Sequence, residues 1–160
     1  MAAYIKFDGV DGEVKAKHHK NWSRLVSFGQ GLHQPGGAAT GPTRRRGDVI
    51  LDDIAVTKEL DKASLKIAEA VCRGNIFPKV ELHLTASYPD AGRITYYAYE
   101  LKNVLVTSYS INGSGQSEDV PVEEFALNFE EIKVTYTETN SRGEKKGNVE
   151  YSWKVEQGEV

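Results

Sequence analysis

The chain has 160 residues, 39% apolar and 27% charged, a size and mixture that suit one soluble domain with a single core. With 20 basic against 23 acidic side chains the net charge is −3, which excludes a global basic field for gathering nucleic acid or acidic membrane. The one cysteine, Cys72, excludes an intrachain disulfide and a cysteine zinc cage, and no apolar run approaches the roughly 18 residues of a membrane-crossing helix.

The first segment, MAAYIKFDGVDGE, turns acidic before an apolar run of signal-peptide length is reached. Cytoplasmic residence is expected, with any export by a route that needs no cleavable signal. Period-two patterns follow. Trp22, Val26 and Phe28 share one parity, interrupted by Arg24, and predict a strand. Gln34 to Gly47, QPGGAATGPTRRRG, has no periodicity and carries two prolines and four glycines. A loop of that length in a compact domain is functional or mobile.

Asp61 to Arg73 predicts a helix, with Asp61 as N-cap and Gly74 just past the C-terminus. At about 100° per residue, Lys62, Lys66, Glu69 and Arg73 fall in one stripe about 60° wide. Leu60, Ala63, Ile67, Ala70 and Val71 form the main apolar face, and Leu65, Ala68 and Cys72 widen it beyond the roughly 100° a surface helix needs. Such a helix is expected to be covered on two sides, by its own sheet and by something else, with Leu65, Ala68 and Cys72 near a neighbouring chain or a loop.

Val80, Leu82, Leu84 and Ala86 alternate with Glu81, His83 and Thr85 as a half-buried strand. Ile94 to Ile111 is a longer strand whose apolar residues around Leu101 to Val106 fall on both faces, so burial on both sides is expected, inside the subunit or against a neighbour. In FALNFEEIKVTY, Phe125, Leu127 and Phe129 are odd-numbered but Ile132, Val134 and Tyr136 are even. A β-bulge at Glu130–Glu131 would return both sets to one side and bend the strand. Asn112 to Asp119 and Asn140 to Gly147 read as connectors. With no repeat or linker, residues 1–160 form a single domain of mainly β class, a barrel or sandwich with one helix.

No set of residues with chemical potential converges in this pattern. His18, His19, His33 and His83 lack helical metal-ligand spacing and read as solvated. Asp52 and Asp53 of GDVILDDIAV point to opposite faces of a strand and cannot work as a pair, and Asp48 has no partner. Gly113-Ser114-Gly115 lacks both the full serine-nucleophile pattern and the lysine of a phosphate loop. No catalytic residue, metal ligand or cofactor site is assigned. Arg44, Arg45 and Arg46, the one basic cluster, are read either as a solvated loop tip or as a grip on phosphate or an acidic partner surface.

Five segments in order resemble one family. Val56 to Pro78, VTKELDKASLKIAEAVCRGNIFP, is similar to its pattern of Thr-Lys, Asp-Lys-x-Ser, a helix, glycine, and an aromatic–proline pair. IKFDGVDGE looks like its opening, LKNVLVTSYSINGSG and LNFEEIKVTY like two late strands, and VEYSWKVEQ like its last strand. The family is Hcp, the tail-tube component of the bacterial type VI secretion system. Ser152 stands where members often have glycine, and the long loop ends in three arginines rather than remaining glycine-rich.

The resemblance implies a compact β-barrel of two sheets flanked by one α-helix, assembled as homohexameric rings that stack into a secreted tube. It implies sheath, spike and effector proteins as partners, with no nucleic acid, no membrane insertion and no enzymatic activity. Arg44, Arg45 and Arg46 would then be ring–ring contacts. The other readings are the tail tube of a phage or phage-like contractile particle and, in another class, a small-ligand-binding β-barrel.

Overall fold

The computed structural model describes residues 1–34 and 49–155. Among the described residues, ten strands and one helix run in the order β1 (Ala2–Phe7), β2 (Ser23–Gly29), β3 (Leu32–His33), β4 (Ile50–Leu51), β5 (Ile54–Glu59), α1 (Ser64–Arg73), β6 (Ile76–Tyr88), β7 (Gly92–Asn112), β8 (Val122–Asn128), β9 (Glu131–Thr139) and β10 (Lys145–Lys154). Six of them, β7-β6-β1-β2-β5-β8, close on themselves because β8 also pairs with β7. All pairings are antiparallel. Closure removes the open edges of these six strands, while β9 and β10 extend from β7 as a wing that ends in an edge strand.

The barrel interior is filled by side chains. Ile5, Phe7, Ile54, Val56, Val80, Leu82, Leu101, Leu127 and Ile132 are almost wholly buried inside it. Packing of this kind is a core, not the ligand-sized hollow that a lipocalin-type reading requires.

Three places show how the backbone sets which residues enter that core. The first is Glu130–Glu131, where the expected β-bulge is instead a break between two strands: β8 ends at Asn128, β9 begins at Glu131, and Phe125, Leu127, Phe129, Ile132 and Val134 all point inward. The second corrects an expectation. Within the subunit, Leu101 to Val106 are not buried on two faces; Asn103, with φ of 52°, shifts the parity of β7 so that Leu101, Val104 and Val106 share the inside. Asparagine is one of the few residues that enters this left-handed region readily. The third corrects β2. A register shift between Leu25 and Ser27 puts Leu25 and part of Phe28 inward and leaves Val26 exposed, so Trp22, Val26 and Phe28 do not form one inner face.

The helix begins at Ser64, three residues after the predicted cap. Asp61 instead accepts the Ala63 N–H at 3.0 Å in a turn that leads into it. At the other end Gly74, with φ of 66°, closes the helix as expected, and the Asn75 N–H reaches the Ala70 carbonyl at 3.0 Å. Ala63, Ile67 and Ala70 face the core, and the helix packs on β7.

Candidate assembly surface

β5 and β8 pair Ile54 with Leu127, Val56 with Phe125, and Lys58 with Glu123, so all six side chains share the inner face. The last pair places a cation and an anion, each wholly buried, at the barrel end beneath the helix. Lys58 Nζ donates to Asp61 Oδ1 at 2.8 Å, Ser64 Oγ at 3.0 Å and the Glu59 carbonyl at 3.1 Å, besides its ion pair with Glu123. The Ser64 hydroxyl donates to Glu123 at 2.9 Å, and the Tyr109 hydroxyl of β7 donates to the other oxygen of the same carboxylate. Burial, then the hydrogen bond to Glu123, push the Tyr109 hydroxyl above its ordinary range. The Thr-Lys and Asp-Lys-x-Ser segments therefore meet in one buried knot tying the helix start to β5, β7 and β8.

What the knot holds in place is an outward face. Leu65 is 76% exposed, Cys72 is exposed and Ala68 is half-buried, so these side chains extend the apolar arc into solvent. The helix is covered on the core side alone by described residues of its own chain.

A second apolar surface lies toward the other end of β7. Directly paired residues run in rows from the barrel onto β9 and β10. Phe7, Val80, Leu101, Ile132 and Trp153 make one row. Ile5, Leu82, Tyr99, Val134 and Tyr151 make the next, and Ala3, Leu84, Tyr97, Tyr136 and Val149 the third. The rows are buried in the barrel, and the second and third emerge on the β9–β10 wing, where Tyr151 is 45%, Tyr136 46% and Val149 74% exposed. The Tyr97 and Tyr99 hydroxyls lie 3.1 Å apart, and burial, then this bond, raise the Tyr99 hydroxyl above its usual value.

The remaining sequence candidates fall elsewhere. His19 is not solvated: it is 4% exposed, and its Nε2 lies 3.0 Å from Nδ1 of a half-buried His83. His18 and His33 are exposed. Among the described residues no group of three or more His, Cys, Asp or Glu is placed to hold a metal ion. Asp53 accepts hydrogen bonds from Thr107 and Asn128 at 2.8 and 2.9 Å, bracing β5 against β7 and β8, and Asp52 lies against Gly31. Gly113-Ser114-Gly115 lies in the exposed β7–β8 connection. Asp48, Arg44, Arg45 and Arg46 lie outside the described residues.

Sequence reasoning missed Glu123, Tyr109 and the wing. A signal for the first existed: Lys58 shares parity with Ile54 and Val56, and Glu123 with Phe125 and Leu127. Opposite charges on two apolar strand faces point to a buried pair.

Residues 4–136 match the model of a family described as type VI secretion system effector, Hcp. The chain is 32% identical over 155 residues to Protein hcp1 of Pseudomonas aeruginosa, covering 96% of this chain and 94% of that one. A solved structure of a type six secretion system protein superimposes with a TM-score of 0.90 at 27% identity, over 99% of this chain and 98% of the other. Hcp1 from Salmonella typhimurium superimposes with a TM-score of 0.78 at 22% identity, over 99% and 97%, and so speaks to the fold alone.

Proposed function

Because the chain belongs to the Hcp family, the tube-forming proteins of the type VI secretion system, we propose that it works as closed homomeric rings of six that stack into a tube. The observation that carries the ring is the pair of apolar surfaces left uncovered by the subunit itself. One is the outer face of α1 with Leu65, Ala68 and Cys72; the other is the wing with Tyr136, Val149 and Tyr151. They lie toward opposite ends of one 21-residue strand, β7, so they are different patches. Association of unlike patches is heterologous and runs head to tail, closing as a ring when the rotation permits.

In such a ring no bond is made or broken; the protein acts by assembly and by being moved. Secretion then follows from the apparatus itself, with sheath, spike and effector proteins as partners and with cargo carried in the lumen. Native mass spectrometry tests the ring directly and is expected to give six copies. Leu65→Asp and Val149→Lys are expected to cut ring mass while leaving far-ultraviolet circular dichroism unchanged, since surface substitutions cost within about 0.5 kcal/mol of folding stability. A wild type that stays monomeric at every concentration, or variants that both keep full ring mass, would overturn the assignment.

A further inference from the structure

Tyr4 belongs to the outward parity of β1, opposite to Ala3, Ile5 and Phe7, yet it is only 2% exposed. What covers it is the connection from β1 to β2. The segment folds back on itself through backbone bonds from Gly12 to Asn21, Val14 to Trp22, and Asn21 to Val14 at 2.7, 2.9 and 2.9 Å. Its base is tied by Lys6, which reaches Asp11 at 2.8 Å and the Val10 carbonyl at 2.7 Å. Its tip rests on aromatic and imidazole contacts. His19 stacks on Tyr4 at 4.5 Å, Trp22 lies over His83 at 4.5 Å, and His19 Nε2 meets His83 Nδ1 at 3.0 Å.

Two ring nitrogens at that distance share one hydrogen: one donates and the other accepts through a bare lone pair. Protonating both rings fully would set N–H against N–H and put two cations side by side out of water. We propose that the Gly12–Trp22 loop is an acid-released latch, closed while the His19–His83 contact holds one proton and open once a second enters it.

The charges facing this contact are few. From β6 come Glu81, 3.5 Å from His83 Nε2, and Lys79, itself 3.1 Å from Glu81. Arg93 approaches from β7 and His18 from the loop; β1 contributes the neutral Tyr4 ring and Lys6, which is occupied by Asp11. The hydrogen bond to His83, against burial and with help from Lys79, holds Glu81 at about 2, so its carboxylate stays charged throughout the range that matters. Burial first, then the facing His83, hold His19 at about 4.

The closed loop therefore binds fewer protons than the open one. Closure is fully favoured above the ordinary histidine value of about 6.5 and weakens as pH falls from there to about 4, by on the order of a hundredfold in the closed-to-open ratio. Release would uncover Tyr4 and Trp22. It would also widen the groove of about 510 Å³ that runs between Glu13–Ala16 and Glu59–Asp61 at the entry to the helix.

The test uses the Trp153→Phe background, which leaves Trp22 as the sole tryptophan reporter. Emission is followed from about pH 7.5 to about pH 4.5, the window in which histidine is the residue type expected to change charge. The expected result is a reversible red shift, with faster amide exchange at Gly12–Trp22 after correction for intrinsic rates. His19→Phe keeps the stack on Tyr4 but takes no proton, and should remain flat. His83→Gln keeps the burial and removes the facing cation, so the closed loop tolerates a proton on His19 better and the midpoint should move to lower pH. A parent with no transition, a His19→Phe variant that follows the parent, or an unmoved His83→Gln midpoint each overturns the latch. If His19→Phe fails to fold, His83→Gln decides alone.

Discussion

Replacing Lys58 by methionine removes the only cation from a wholly buried site and leaves two carboxylates, Glu123 and Asp61, facing the space it filled. Taking one partner from a buried ion pair costs about 3–5 kcal/mol, against a typical total stability of about 5–15 kcal/mol. Glu123→Gln is a milder change. It leaves Lys58 facing Asp61 at 2.8 Å, and the new amide oxygen still accepts one of the Ser64 and Tyr109 hydroxyls. Its expected cost is about 1–2 kcal/mol, the loss of one hydrogen bond with partial compensation. With a urea slope near 2 kcal/mol per molar, Lys58→Met should lower the midpoint by about 2 M and Glu123→Gln by about 1 M or less. The double variant removes the uncompensated buried charge and should regain about 1–2 kcal/mol over Lys58→Met alone. All four proteins must be compared at one concentration, because a ring former's apparent stability includes its assembly. Equal costs for the two single variants, or costs that simply add in the double, would refute the account of the knot.

Gly12→Ala should be costly, since a Cβ there would land against the Trp22 carbonyl oxygen and 2.5 Å from Ser23 Oγ. Backbone cannot yield cheaply, so a loss of about 1–3 kcal/mol is expected by thermal denaturation. Gly29→Ala meets nothing within 4 Å and should be close to neutral in the same measurement. For Arg44, Arg45 and Arg46 the expectation rests on charge alone. Rings that each repeat the chain's net −3 repel one another, and a basic loop could offset this by meeting acidic residues of the next ring. Exposed pairs are worth only about 0–1 kcal/mol each, but a ring repeats them. Arg44/Arg45/Arg46→Ser is therefore expected to form rings that stack poorly, with wild-type stacking falling as salt rises past a Debye length of about 8 Å. Electron micrographs showing equally long tubes at low salt would return the arginines to solvent.

The parts of the fold that could be read from sequence were those in which a pattern broke visibly. Phe125, Leu127 and Phe129 change parity to Ile132 and Val134 around two glutamates, and the strand does break there. Ala63, Ile67 and Ala70 marked the helix face that is now buried. The register shift after Leu25 leaves no such mark, because Val26 and Phe28 keep an apolar alternation while only Phe28 turns partly inward. Asn103 was equally silent: one left-handed residue moves Val104 and Val106 inward, and sequence alone suggested two buried faces instead. His19 stood in a polar run beside His18, and its partner His83 is 64 residues away. Pairings of that kind depend on tertiary register, which local pattern does not carry. The charges at Lys58 and Glu123 were visible on apolar faces, but only the β5–β8 register reveals that they face each other.

The same backbone irregularities that hid the core also position the two exposed apolar surfaces proposed to assemble. β7 pairs with β8 through Leu105 to Asn112 and then, along the same edge, with β9 through Tyr97 to Lys102. The handover falls at Asn103 and Val104, opposite Phe129 and Glu130, where the Asn103 amide donates to the Glu130 carboxylate at 2.8 Å. One side of this junction belongs to the closed barrel, on which the helix is tied by Lys58 and Glu123; the other carries the wing with Tyr136 and Val149. A heterologous ring closes only when the rotation from one patch to the next divides a full turn, and within a rigid subunit that rotation is fixed by how the two patches are held. In this chain they are held through a single strand with two irregularities between them, the left-handed Asn103 and the register shift at Thr107. In the proposed ring, the backbone geometry at Asn103 and Thr107 would therefore set ring size as much as any residue that touches a neighbour.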